Sequence, residues 1–374
     1  MELSRVRRRR LPRRAPGPGI VGGALLLMLV LALASFNGLY LTPRPGGTSS
    51  PALIVKQVLS AQVGATVEVA AGGLLISEGP RVRSWPGGLV LDVEGRDLIA
   101  ASGDLLVAAE TGSNLLTLQP LPNGSASQLS LEGGAVSLTG HEAGVLVQLR
   151  SEEREGDTLL LVDPRGVLWS KEVARARFFQ VTRAEKYFFL VGVKAQASGQ
   201  LIPLNLALSP AGEIIWTRTF DVEAPPLGLF AGTQLLAVLF PSEVWALDTA
   251  NGDILWRYRQ QDLVRAALRA SADHAALLLQ EGSATLMVVI GPGGREIWRK
   301  RILDPVEVLP GSRPRTFLVV AQRHLYLLDE RGRVAWDYAP PGAIVGAAGD
   351  GTLYALSLED GRIVLLEAPV EGSE

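Results

Sequence analysis

The sequence predicts an all-β fold: a β-propeller of about eight four-stranded blades, with seven as the alternative, behind an apolar N-terminal segment. Three observations predict it. A phrase made of an alternating apolar run, a glycine turn and a second run ending in tryptophan returns along the chain. Its turn glycines recur at a step of about 40 residues, the length of one propeller blade. Glycine and proline, at 41 and 23 of 374 residues, supply the tight turns that many short strands need.

The first element is an address. Residues 1–18 hold an arginine-rich stretch, "MELSRVRRRRLPRR", and residues 19–41 follow without a charge. That run is about the 20 residues that a membrane-spanning helix needs. The positive-inside rule sets 1–18 in the cytoplasm as a basic tail and the rest of the chain outside, with 19–41 as a transmembrane signal-anchor. Secretion after signal cleavage near Ala32 and Ala34 is the alternative. Residues 42–51, "TPRPGGTSSP", read as an exposed linker, and 52–374 as the propeller. The whole chain carries −2; the first 14 residues hold seven arginines and one glutamate, which leaves −8 for the remainder. An acidic external domain repels nucleic acid, so none is expected as a partner.

The repeat comes next. "LLLVDPRGVLW" (159–169), "LNLALSPAGEIIW" (204–216), "VWALDTANGDILW" (244–256) and "LYLLDERGRVAW" (325–336) each read as a β-hairpin. "GREIW" ends a further copy at Trp298, and "LYALSLEDGRIVL" (353–365) has leucine in the tryptophan place. The turn glycines are Gly166, Gly212, Gly252, Gly294, Gly332 and Gly361, at steps of 46, 40, 42, 38 and 29. One period earlier stand Gly124 and Gly88, without a tryptophan. Eight turns give eight blades; seven follow if residues 52–94 only complete the last one. Trp169, Trp216, Trp256, Trp298 and Trp336 are expected at the end of each outermost strand, packed against the next blade. Asp163, Asp248 and Asp329 are expected to accept backbone hydrogen bonds in the turns. Residues 262–280 have helix-like alanine and leucine spacing, yet the period requires two inner strands there.

These hairpins resemble the pyrroloquinoline-quinone (PQQ) repeat, through Val244–Trp256, Leu325–Trp336 and Leu353–Leu365. The resemblance implies a propeller. It covers both quinone-dependent dehydrogenases and non-catalytic envelope propellers, such as the lipoprotein that assists outer-membrane protein assembly. The dehydrogenases clamp their quinone with adjacent cysteines and bind calcium in loops. This chain has no cysteine, and its short steps leave little loop. The lipoprotein is held by a lipid-modified cysteine, which a protein span replaces here.

No catalytic constellation emerges. His141, His274 and His324 lack metal-ligand spacing. The glycines of 291–294 fall at a hairpin turn, and the carboxylates Glu152, Glu153, Glu155 and Asp157 read as a charged loop. Asn123-Gly-Ser matches a glycosylation triplet. No cofactor, metal or catalytic residue is expected. The sequence favours a membrane-anchored, extracytoplasmic, non-catalytic scaffold for an unknown protein partner in the envelope. A divergent quinoprotein or glycan-active enzyme, and a sensor ectodomain working with a membrane subunit, are the alternatives.

Overall fold

The computed structural model describes residues 53–368, apart from 71–72, 87–89, 123, 185, 262, 264–265, 283 and 304. The basic tail, the apolar segment 19–41 and the linker 42–51 lie outside the described residues, as do Gly88 and Asn123. Among the described residues no helix is long and apolar enough to cross a membrane.

The described residues form eight four-stranded antiparallel sheets arranged as the blades of a propeller. Blade 1 spans 66–92, blade 2 spans 98–130, blade 3 spans 134–173 and blade 4 spans 176–219. Blade 5 spans 228–259, blade 6 spans 267–303 and blade 7 spans 305–338. Blade 8 is assembled from both ends of the chain. Ile344–Gly349, Leu353–Leu358 and Arg362–Glu367 supply three strands, and Ile54–Ser60 adds the outermost one. The count is therefore eight: the first strand alone closes the last blade, and residues 66–92 form a blade of their own.

Burial explains why the strands read as they do. The second and third strands of a blade are covered on both faces, so Leu235–Leu239 and Asp157–Asp163 are buried at every residue. They read as continuous runs rather than alternating ones. The outermost strands alternate, as in Ile214–Thr219, where Trp216 is buried between exposed neighbours. Ala267–Ser271 and His274–Glu281 are the two inner strands of blade 6, so tertiary packing overrides the helix-like spacing of that stretch. The buried apolar side chains fall into layers, each between two adjacent blades. Leu235, Trp256 and Leu277 join blades 5 and 6, and Leu74, Ile76 and Leu365 join blades 1 and 8.

The inner strands face the central channel and have one unpaired backbone edge. Side chains of the preceding blade satisfy part of it. Gln180 of blade 4 donates to the Leu229 carbonyl at 2.8 Å and accepts from the Leu229 amide at 2.9 Å. Asp157, fully buried in blade 3, accepts from the Phe178 amide of blade 4 at 2.7 Å, from Gln148 and from Arg150. Asp157 is therefore a pin between blades and not part of a solvated charged loop. Arg269 of blade 6 donates to the Val308 carbonyl at 2.9 Å.

Gly361 differs from the other turn glycines. Gly212, Gly252, Gly294 and Gly332 lie between the third and fourth strands of their blades, and Gly166 opens the fourth strand of blade 3. Gly361 lies between the second and third strands of blade 8, because the fourth strand of that blade comes from the N-terminus. That displacement by one strand accounts for the short last step of 29 residues.

Candidate interaction surface

The tryptophans and the turn glycines meet across blade boundaries. The indole of Trp169 in blade 3 donates to the Pro210 carbonyl in the turn of blade 4 at 2.8 Å. Trp216 donates to Thr249 and Trp298 to Glu330, both at 3.1 Å, each in the following blade. Each of these rings covers the glycine of that turn. A Cβ on Gly212, Gly252 or Gly332 would come within 2.9, 2.6 or 2.7 Å of the indole. These glycines have φ of +81°, +72° and +71°, so they serve both the left-handed turn and the close approach of the ring. Trp256 is buried over the turn of blade 6, where Gly294 approaches it, but its indole N–H has no partner. Pro292–Gly294 form a 3-10 turn there, unlike the other turns. Trp336 is half-buried and stacks on Tyr338 with ring centroids 5.9 Å apart. The strands carrying these tryptophans run on past them, to Val173, Thr219, Arg259, Leu303 and Tyr338.

Aspartates hold the same turns from within. Asp163 accepts from the Arg165 amide at 2.7 Å, Asp248 from Ala250 at 2.7 Å, and Asp329 from Arg331 and Arg333 at 2.9 and 2.8 Å. Burial pushes the Asp163 carboxyl up, but its bonds to Arg165 outweigh this and hold it below the usual carboxylate range.

The fourth strands also expose apolar groups. In blades 3 to 5 two aliphatic residues precede the tryptophan: Val167 and Leu168, Ile214 and Ile215, Ile254 and Leu255; in blade 6 the residue is Ile297. All of these are 38–47% exposed. The pairing register shifts at the residue before the tryptophan in blades 3 to 7, so a β-bulge turns that side chain outward. Basic residues follow on the same strands: Lys171, Arg218, Arg257 and Arg259, then Arg299, Lys300 and Arg301. Against these seven the four strands hold two acids, Glu172 and Glu296. Arg259 bonds Glu243 at 3.5 Å, yet its side chain is 79% exposed. The Arg299 guanidinium, bonded to Glu296, holds that carboxyl below its usual range. Arg257 stacks 3.4 Å over the buried ring of Trp245. Blades 3 to 6 thus share an outer wall with exposed aliphatic residues near the glycine turns, and in blades 5 and 6 Arg257, Arg259, Arg299 and Arg301 stand beyond them. Sequence reading assigned only the tryptophan and glycine of each hairpin. The residues flanking the tryptophan, read across "VLWSK", "IIWTR", "ILWRYR" and "EIWRKR", were the signal for this wall.

The channel holds a second charged group. Arg183, at the end of the blade 4 inner strand, donates to the Gly140 carbonyl at 2.9 Å. Desolvation by the surrounding strands pushes its guanidinium down, against the pull of Asp350, Glu68 and Glu142. The same crowding raises the Glu68 carboxyl of blade 1, and Arg183 partly offsets it.

Catalytic and metal sites were not expected from the sequence, and the histidines have structural surroundings. His141 is buried against Phe188, with ring centroids 4.9 Å apart, and accepts from the Ala143 amide. His274 is buried and bonded to Asp273 at 2.8 Å, and His324 stacks on Tyr326. Among the described residues no group of three or more His, Asp or Glu side chains is placed to hold a metal ion.

A family profile described as the outer membrane protein assembly factor BamB matches residues 155–306, from blade 3 to the start of blade 7. Among solved structures, BamB from Moraxella catarrhalis is similar at a TM-score of 0.53 and 14% identity, covering 84% of this chain and 99% of that one. The Dos1 propeller is similar at a TM-score of 0.57 and 10% identity, covering 84% and 96%. No curated protein matches by sequence. The chain is a PQQ-like β-propeller that resembles the assembly factor, and at these identities the structural likeness is one of fold.

Proposed function

We propose that this chain is a non-catalytic scaffold, tethered to the cell membrane through residues 19–41, that presents its propeller outside the cytoplasm to a protein partner in envelope assembly. The observation that carries this reading is the assembly-factor profile over 155–306, which coincides with the blades that bear the aliphatic and basic wall. The regular blades support it as well. Their loops are spent on the turns and clasps that hold the ring, whereas propeller chemistry resides in loops that project from it. The arginines before the uncharged segment favour an N-terminus in the cytoplasm.

The test is protease treatment of intact spheroplasts, with fractionation of the full chain. The reading expects the propeller to be digested from outside and the chain to stay with the membrane until digestion. A protected propeller contradicts the orientation, and release into the medium replaces the anchor with a cleaved signal. Dye-linked oxidation of alcohols and sugars, in the presence of quinone and calcium, should not exceed the control without protein. Turnover above that control would make the chain an enzyme.

A further inference from the structure

Among the described residues, the exposed aliphatic side chains of the outer wall make no clasp to the next blade, although Arg218 of blade 4 does, donating to the Gly252 carbonyl of blade 5 at 2.8 Å. The clasping indoles point to the next blade, while the aliphatic residues before them point outward. An edge strand is ordinarily guarded by charge and bulges. Here the bulge has the opposite consequence for the side chain, because it delivers Leu168, Ile215, Leu255 and Ile297 to the surface. The same place on four successive blades thus presents an exposed aliphatic side chain, a repeat open to contact from outside.

We infer that this wall docks extended segments of a partner protein in which an aliphatic residue is followed, two to four positions on, by Asp or Glu. The spacing comes from the strand itself. Arg257 and Arg259 stand two and four residues beyond Leu255, which is roughly 7–14 Å along an extended chain. The sign comes from charge. The four outer strands hold seven basic and two acidic residues in a chain whose residues beyond the arginine tail total −8. The wall stays positive when the carboxylates bonded to it, Asp253, Glu243 and Glu281, are included. Two neighbouring blades carry this unit, Leu255 with Arg257 and Arg259 and Ile297 with Arg299 and Arg301, and they bind a partner with repeated motifs by avidity, each copy contributing weakly.

The position of the chain's first strand selects a protein over the bilayer. Ile54–Ser60 lies on blade 8, and the blade opposite it in an eight-blade ring is blade 4. Residues 42–53 reach at most about 40 Å when fully extended. The tether therefore keeps blade 8 within about 40 Å of the membrane, and blade 4, one of the four blades of the aliphatic wall, is the blade farthest from that attachment. This step rests on the anchored reading proposed above.

The test uses the full chain in phosphatidylcholine nanodiscs and a labelled ten-residue valine–glutamate peptide, VSESVSESVS, which sets valine and glutamate two positions apart on one face of an extended strand. Fluorescence anisotropy should show saturable binding. The same peptide with lysine in place of each glutamate, or with serine in place of each valine, should bind at least tenfold more weakly. Ile215→Ser with Leu255→Ser and Ile297→Ser should weaken the valine–glutamate peptide at least tenfold while leaving the thermal midpoint in place. Arg259→Glu should weaken it without touching the aliphatic residues, and Val58→Ser with Val90→Ser, on the other half of the ring, should change nothing. Equal binding of the lysine peptide, or full binding by the triple variant, overturns the inference. Self-association lost in the triple variant, without peptide binding, assigns the wall to a second copy and also overturns it. Displacement of the peptide by phosphatidylglycerol vesicles, with vesicle binding lost in the triple variant, assigns the wall to lipid and overturns it too. The spheroplast result is independent of all these outcomes, so the anchored reading and the wall fail separately.

Discussion

Blades 3 to 6 and blades 7, 8, 1 and 2 share one strand plan and differ in their outermost strands. Both groups expose aliphatic residues there, Ile54, Val55, Val58 and Val90 in the second, but the first sets them among seven basic and two acidic residues. The second holds Lys56 against Asp92 and Asp337 on its outermost strands and has one tryptophan there, Trp336. The inner layers are alike, since apolar side chains fill the boundary between blades 5 and 6 and that between blades 8 and 1. Folding constrains the covered strands tightly and the outermost strand only on its clasping side. The other side is free to vary, and a feature repeated there over four blades is available for binding.

The largest way to break this comparison is through the clasps. Trp256→Ala should cost about 3–5 kcal/mol, because the ring is buried between blades 5 and 6 and leaves a cavity. Trp298→Ala should cost less, since that ring is half-exposed. Urea unfolding of both variants measures the difference. A cost for Trp256→Ala under about 1 kcal/mol would mean that the indoles do not hold the blades.

Asp157→Ala should follow, at about 3 kcal/mol, because it leaves Arg150, Gln148 and the Phe178 amide without their buried acceptor. The same unfolding experiment reads it. An unchanged midpoint would remove the pin between blades 3 and 4.

Two glycines with the same φ of +81° separate backbone strain from packing. Gly199 has open space around it, whereas Gly212 lies under the Trp169 ring. Gly199→Ala should cost about 1 kcal/mol through its left-handed backbone. Gly212→Ala should add about 1–3 kcal/mol of overpacking to that. Equal costs would show that the ring moves aside freely.

Glu68→Gln gives a smaller, pH-dependent effect. Crowding raises the folded carboxyl above 4.5, so the folded state is penalised once that carboxyl ionises. The variant should be more stable than the parent at pH 7. Its advantage should shrink as pH falls through the raised value and vanish below 4.5, where the carboxyl is protonated in both states. A difference that grows on acidification would reverse the sign of the coupling. Leu255→Ser should have the smallest effect on stability, within about 0.5 kcal/mol, as for other exposed positions.

Much of the ring was legible because each blade repeats its covering requirements. Val244–Trp256 states strand, turn and clasp in thirteen letters, and its period gives eight turns and eight blades, with seven as the alternative. The alternative stood because nothing local shows whether residues 52–94 form a blade or complete the last one; the last blade takes its fourth strand from 306 residues away, as Val58 paired with Val364 shows. No local pattern encodes such a pairing. For the same reason Gly361 looked like the other turn glycines while closing a different hairpin. Asp157 and Gln180 were illegible for another reason. Each acts on the backbone of a neighbouring blade, and a charged or amide side chain in the sequence does not announce that partner. The wall stood between these cases: its residues repeat in plain view, but only burial separates Trp216 from Ile214 and Ile215 beside it.

The central claim is that one half of the outer wall meets a protein partner, and photo-crosslinking in native membranes tests it most directly. A benzophenone residue placed at Leu255 should give a discrete cross-linked product with another protein of the envelope assembly machinery, and the Arg259→Glu background should abolish it. The same probe at Val58, on the tethered side, should give none. Equal products from both positions, or a product at Val58 alone, would contradict the account.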